Sequence, residues 1–368
     1  MVQLIRKLNL WVILFTLFAY IAPFISPAQM SFLMFFGVAF PWLLIINFIF
    51  VGLWAISRYR YWWYSAAVIA IGWSHLTSVF GVHFGQPESL NTVEERNPDT
   101  VGKGGQKENG LRVMTYNIHG AIPIGKKSLV QSRLELSRFL EKQSPDVLCL
   151  QEFLLSWGEK VDKQMLDDIP FLKTYPYCVR LEGNDLAIFS RFPILNSGIL
   201  LRRDDSNGCT FADVSIRGQN VRIYSLQLRS NIVSDIADDL ARKKDITDDG
   251  SWLNVGRMLT RFRRYGILRA KDAEIVKSHI KGSPYPVILG GDFNDIPVSY
   301  SYKTLSDGFT DTFQETGSGI ATTYGGHIPA LRIDYILTDP RFKPLNCFIF
   351  RVRHSDHYPV VSDLIITK

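Results

Sequence analysis

Between Lys7 and Arg58 the chain holds no Asp, Glu, Lys or Arg, a run of apolar positions that no water-facing surface would carry. A bilayer core of about 30 Å is crossed by about 20 apolar helical residues, so the run is too long for one span and matches two. Pro23 and Pro27 fall where a hairpin turn belongs, with spans over 10–25 and 32–56. A third, less apolar run over 63–84 follows the basic and aromatic segment Arg58-Tyr59-Arg60-Tyr61-Trp62-Trp63-Tyr64. Residues 1–84 therefore read as an all-α transmembrane anchor of two to three helices. A cleaved secretory signal over 8–28 is the alternative, but no small-residue cleavage site ends its apolar run.

Charge placement gives this segment a direction. Arg6 and Lys7 precede the first span, Arg58 and Arg60 follow the second, and the connection 26–31 is uncharged. Lys and Arg near span ends tend to stay cytoplasmic, so both basic ends read as cytoplasmic. With a third span, the rest of the chain emerges on the extracytoplasmic face of a plasma or inner membrane, and the Trp/Tyr cluster sits as an interfacial belt.

Beyond residue 84 the pattern changes twice. Residues 85–110 are rich in Gly, Pro, Asn and charge and read as a flexible linker. From 111 onward short apolar and alternating runs predict strands over 111–118, 146–150, 186–190, 194–201, 210–216, 221–228, 287–289, 333–337 and 358–366. Helical spacing of Leu129, Leu136 and Leu140 predicts a helix over 128–143, and a longer amphipathic helix is predicted over 255–280. Residues 234–250 read as an acidic, polar surface excursion. Strands recurring between helices predict two packed sheets flanked by helices.

Polar groups cluster at the ends of those strands in five motifs. They are Met114-Thr115-Tyr116-Asn117-Ile118-His119-Gly120, Asp146-Val147-Leu148-Cys149-Leu150-Gln151-Glu152, Gly290-Gly291-Asp292-Phe293-Asn294-Asp295, Arg332-Ile333-Asp334-Tyr335-Ile336-Leu337 and Ser355-Asp356-His357-Tyr358-Pro359-Val360. Asp334 alone stands near the start or middle of its strand. Carboxylates there are costly to bury unless they meet a metal or a partner. Hydrolysis of a phosphate ester needs neutralised phosphoryl oxygens, an activated water and help for the leaving oxygen. A few acids, one or two amides and a His supply that set, and hard cations such as Mg²⁺ prefer oxygen ligands.

In this order the motifs resemble the endonuclease/exonuclease/phosphatase superfamily, which includes abasic-site endonucleases, deoxyribonucleases and neutral sphingomyelinases. The resemblance covers 111–368 and implies a four-layer α/β/β/α sandwich, an α/β (α+β) fold, with the site in a cleft at one edge of the sheets. It implies that Glu152 and Asn117 hold a divalent cation, Mg²⁺ or Mn²⁺, with Asp356 as a further acid on the metal side. It further implies that Asp292 orients or deprotonates the attacking water, that Asn294 holds a phosphate oxygen, and that Asp334 orients the imidazole of His357. His119 stands at a variable family position that can face the metal. Many relatives place a second His where this chain has Gln227, which can donate a hydrogen bond to a phosphate oxygen but cannot act as an acid. Arg332, beside Asp334, is a phosphate-binding candidate.

Charge and cysteine content narrow the substrate little. The formal charge is +6, and residues 1–100 hold five Lys/Arg and four Asp/Glu, leaving +5 on the remainder. That balance permits an anionic substrate without requiring nucleic acid, and no interleaving of aromatics with a basic stripe marks a nucleic-acid platform. Arg257, Arg261, Arg263, Arg264, Arg269 and Lys271 lie on the longer predicted helix and read either as a solvated face or as a surface for a phosphate backbone or anionic lipid head groups. The four cysteines lack metal-ligand spacing and read as core thiols, with a disulfide outside the cytoplasm, which the sequence alone does not pair, as the alternative. The expected function is metal-dependent hydrolysis of a phosphodiester or phosphomonoester in nucleic acid, phospholipid or a small phosphoester, with the bilayer as the anchor's partner. A tethered, non-catalytic scaffold that kept the fold is the alternative from another class, and a sphingomyelinase- or phospholipase C-like activity the alternative among enzymes.

Overall fold

The computed structural model describes residues 2–82, 110–123, 128–153, 159–181, 185–202, 208–230, 249–326 and 331–367. The linker predicted over 85–110 and the excursion predicted over 234–250 fall almost wholly outside these residues.

The apolar N-terminal region folds into α1 (Val2–Ile21), α2 (Leu33–Ile56), α3 (Trp62–Ile71) and α4 (Trp73–Val79). By length and composition, α1 with its terminal 3-10 turn and α2 are long and apolar enough to cross a membrane. α1 begins at Val2 rather than at 10, because Arg6 and Lys7 are good helix formers and do not interrupt it. The third apolar run is not one helix over 63–84. It bends at Gly72, where a Cβ would overlap the Tyr20 hydroxyl, and turns into strand at Phe80. Buried polar groups tie the helices together. Asn9 Nδ2 donates to Ser65 Oγ at 2.7 Å, Trp54 Nε1 donates to Asn9 Oδ1 at 3.0 Å, and Asn47 Nδ2 donates to Thr16 Oγ1 at 2.8 Å. Each bond satisfies groups that would otherwise be desolvated without a partner. At the basic end, Arg6 lies over the Tyr61 ring at 5.0 Å.

The remaining elements run in chain order as β1 (Phe80–Val82), β2 (Gly110–Asn117), α5 (Leu129–Gln143), β3 (Val147–Gln151), α6 (Glu159–Asp168), β4 (Tyr177–Arg180), β5 (Ala187–Ser190), β6 (Ile194–Leu201), β7 (Gly208–Ile216), β8 (Gln219–Gln227), α7 (Asp249–Lys281), β9 (Val287–Asp292), α8 (Tyr300–Ser306), β10 (Thr310–Asp311), α9 (Thr312–Thr316), β11 (Ser318–Ile320), β12 (Asp334–Thr338), β13 (Phe342–Ile349) and β14 (Val360–Ile366). One sheet has the order β13-β14-β2-β3-β5-β4 and the other β10-β12-β9-β8-β7-β6. Alternation sets the layers, since successive strand residues face opposite sides. Val113 and Cys149 of the first sheet pack against Ile223 and Ile288 of the second in the layer between them. Met114 and Leu148 face outward onto Leu136 and Leu140 of α5, while Tyr224 and Leu289 face outward onto Val276 of α7 and Leu305 of α8. The result is the expected four-layer sandwich.

The N-terminal helices share a core with the sandwich. Ala19, Tyr20, Phe40 and Val79 are buried together with Ile296, Val298, Tyr324 and Ile333. Burying such side chains stabilises by roughly 1.5–3 kcal/mol each. β1 pairs antiparallel with β11, and a Cβ on Gly37 of α2 would stand 2.5 Å from the Val298 carbonyl oxygen.

Candidate active site

Strand direction assembles the site. β2 and β3 are parallel with Asn117 opposite Gln151, and β8 and β9 are parallel with Gln227 opposite Asp292, so four carboxyl ends reach one edge of the sandwich. β12 runs antiparallel to β9, which sets its first residue, Asp334, against Asp292. β14 runs antiparallel to β2, so the approach to its first strand residue brings His357 towards the Asn117 end. Gly291 lets β9 sit this close, because a Cβ there would lie 2.0 Å from the Leu226 carbonyl oxygen.

The side chains form one hydrogen-bonded constellation. Asn117 Nδ2 donates to Glu152 Oε1 at 3.0 Å and to Asp292 Oδ2 at 3.1 Å, joining the two halves of the cleft. Gln227 Nε2 donates to Glu152 Oε1 at 2.7 Å, and His119 Nδ1 lies 3.0 Å from Glu152 Oε2. Asn294 donates its backbone N–H to Asp292 Oδ1 at 2.8 Å and its carboxamide to Asp292 Oδ2 at 3.0 Å. His357 Nδ1 lies 3.0 Å from Asp334 Oδ2, and its Nε2 lies 3.8 Å from Asp292 Oδ2. Ser355 Oγ donates to the Asn117 carbonyl at 2.8 Å and bonds Asp356 Oδ1 at 3.1 Å. Glu152, Asn294 and His119 adopt φ of 52°, 49° and 46°, a left-handed conformation uncommon outside glycine. Such backbone costs on the order of 1–3 kcal/mol per residue and persists where the surroundings over-determine it.

Electrostatics divide the constellation into an anionic side and a protonated side. Burial pushes the Glu152 carboxyl up, but hydrogen bonds from His119 and Asn117, with the charge of His357, outweigh it and bring its pKa down to about 2. The hydrogen bond to Glu152 raises His119 in turn, against its own burial. Burial pulls His357 down, yet Asp334 and then Asp292 outweigh it and raise its pKa to about 10. Burial holds Asp292 above the usual carboxylate range, with Asp334 adding repulsion against the pull of His357. Asp292, Asp334 and His357 also offer ligand atoms within 4.8 Å of one another. An imidazolium has no lone pair for a metal, so with His357 protonated this trio suits proton handling better than coordination.

Nine of the ten candidate residues lie at or beside this edge, and Arg332 does not. Its guanidinium is buried and ion-paired with Asp311, its Nη1 donates to the Ser78 carbonyl at 2.9 Å, and it is stacked over Phe313 and Tyr335. It braces the seam with α4 and cannot reach a phosphate. Arg269, in the basic run of α7, is likewise buried against Asp295 at 2.9 Å. Sequence reasoning passed over Thr323 and Tyr324. The Thr323 hydroxyl accepts the backbone N–H groups of Ile333 at 2.9 Å and Asp334 at 3.0 Å, and the Tyr324 ring stands edge-on to His357 at 5.2 Å.

A two-sheet sandwich with acids, amides and an imidazole gathered at one edge is a distinctive class of fold, and comparison with known proteins identifies it. The profile of the endonuclease/exonuclease/phosphatase family matches residues 114–357, and the chain belongs to that family. A second profile, described as a domain of unknown function, matches residues 2–79. No curated protein matches. Among solved structures, an endonuclease/exonuclease/phosphatase family protein from Bacteroides thetaiotaomicron is similar at 16% identity and TM-score 0.51, over 70% of this chain and 98% of that one. A counterpart from Bacteroides vulgatus is similar at 17% identity and TM-score 0.50, over 70% and 100%.

Proposed function

We propose that the chain is a membrane-anchored, divalent-metal-dependent phosphoesterase, with residues 1–84 as anchor, 85–110 as linker and 111–368 as catalytic unit. The observation that carries this reading is the Asn117 carboxamide bridging a strongly anionic Glu152 and a buried Asp292. A hard cation fits the donor set, since Glu152 stays ionised at neutral pH and the Asn117 carboxamide links it to the carboxylate of Asp292. Glu152, Asn117 and Asp356 would hold Mg²⁺ or Mn²⁺, which when bound neutralises phosphoryl charge and acidifies water.

The chain's own groups supply the rest. Asp292 takes the proton of the attacking water, and Asn294 fixes the Asp292 carboxylate and borders the phosphate. Asp334 holds Nδ1 of His357, so that a protonated Nε2 faces the cleft and stabilises charge developing on phosphorus. Gln227 and His119 brace Glu152 and line the phosphate side.

Membrane anchoring is supported by the uncovered apolar surface of α1 and α2, where Trp11, Trp42, Ile45, Phe48, Ile49 and Leu53 are exposed. The sandwich packs against the end of the helical bundle opposite Arg6, Lys7, Arg58 and Arg60, which supports an extracytoplasmic catalytic unit.

The test is hydrolysis of bis(p-nitrophenyl) phosphate by the full chain in detergent with Mg²⁺ or Mn²⁺. Activity that chelator removes, and that Glu152→Ala or His357→Ala lowers by at least roughly 10²-fold, is the expected result. No cleavage with either metal counts against the proposal.

A further inference from the structure

The seam between helices and sandwich runs along one wall of the cleft. Asn294 stands two residues before Ile296, Asp334 directly follows Ile333, and His357 contacts Tyr324. Ile296, Ile333 and Tyr324 are all sealed against α1 and α2. The wall therefore sits at a definable depth. α2 has 24 residues, about 36 Å of helix, against a hydrocarbon core of about 30 Å, so about 3 Å at each end of a centred span reaches the head-group layer. Val298 meets Gly37, about 6 Å below the start of α2, which sets the loop after Asn294 at the boundary between hydrocarbon and head groups.

Charge at that level has the complementary sign. Phe262 of α7 packs on Phe35 with ring centroids 5.0 Å apart, and a Cβ on Gly266 would touch Met34, so α7 crosses the first turn of α2. Beside this crossing Arg257, Arg261, Arg263 and Arg264 are exposed, and the stretch 251–271 contains no Asp or Glu. Lys303 lies over the Phe24 ring at the turn between α1 and α2. Cations at this depth draw anionic lipid.

We propose that the cleft takes its substrate from the bilayer, as the phosphate ester of a lipid head group, rather than from solution. The inference rests on the phosphoesterase reading and deepens it. Water forms the new bond to phosphorus and gives its proton to Asp292. The ester P–O bond breaks, the released oxygen takes a proton from solvent, and the acylated part stays in the membrane.

The experiment uses the full chain in nanodiscs with Mn²⁺. Phosphatidylcholine, phosphatidylglycerol and phosphatidic acid are each compared with the deacylated counterpart, beside bis(p-nitrophenyl) phosphate and a single-stranded oligonucleotide. At least one lipid should turn over about tenfold or more faster than its deacylated form, because remote binding energy is realised only at the membrane. The triple variant Arg257→Glu, Arg261→Glu, Arg264→Glu should slow anionic lipid turnover and leave bis(p-nitrophenyl) phosphate unchanged. Deacylated esters or the oligonucleotide cleaved as fast as every lipid, with bis(p-nitrophenyl) phosphate also cleaved, would overturn the lipid inference alone. Cleavage of none of the probes would overturn the hydrolase reading and this inference with it.

Discussion

Asp334 is buried at the start of β12, beside Asp292 and His357. Its carboxylate faces Nδ1 of His357, and folding raises that imidazole from an ordinary 6.5 to about 10. The sign follows: this contribution to stability is complete below about 6.5 and fades as pH rises through about 10. Replacing Asp334 with Asn removes a charge that favours the imidazolium, so the alkaline limb of kcat/KM should move down by roughly 1–3 pH units, read from a pH–rate profile. An unmoved limb would mean that His357 is not the group titrating there. Arg332→Met tests a different residue role. It leaves Asp311 buried without its partner and should destabilise the fold by about 3–5 kcal/mol while leaving the residual folded enzyme's KM unchanged, measured by denaturant titration and steady-state kinetics. The polar residues of the cleft were legible because acids, amides and an imidazole at strand ends carry a chemical signature. Thr323 and Tyr324 were not, since a Thr accepting two backbone N–H groups and an aromatic ring in a loop look like any turn. Arg332 misled for the opposite reason: it stands two residues before Asp334 in sequence, yet its guanidinium is held in the seam by Asp311 and the Ser78 carbonyl.

At the scale of elements, period decided what could be read. β2, β3, β8 and β9 alternate cleanly between two buried faces, and their predicted bounds lie within three residues of those observed. β13 escaped because Pro344 interrupts it. It is an edge strand with a register shift between Pro344 and Asn346, where a missing N–H costs nothing. β10, α8 and α9, with two, seven and five residues, are too short for a period to emerge. Glycine placement gives an element-scale prediction. Gly37→Val drives a side chain into the Val298 carbonyl and should part α2 from the active-site loop. Lower kcat with a reduced melting temperature of the full chain in detergent is expected. Unchanged values for both would show that the helix can retreat without disturbing the site.

For the whole molecule, the pattern of positions separates an apolar segment over 1–84 from a strand-rich segment over 111–368, with no sign that they share a core. Ile296, Val298, Tyr324 and Ile333 are apolar residues in loops, which a period-based reading has no means of assigning to a partner. Their burial against α1, α2 and α4 makes the two parts one folding body. Removing residues 1–82 should therefore expose that patch, and the truncated chain should aggregate in size-exclusion chromatography where the full chain in detergent runs as a single species. Monomeric, fully active truncated protein would contradict the shared core.

The central claim is that the strand ends form one oxygen-lined cation site that serves phosphoester cleavage. Calorimetric titration of Mn²⁺ into the purified full chain tests it most directly, with Glu152→Gln as the comparison. Saturable binding by the unaltered chain, lost in Glu152→Gln together with hydrolysis, is the expected result. Equal uptake by both proteins, or none by the unaltered chain, would contradict it.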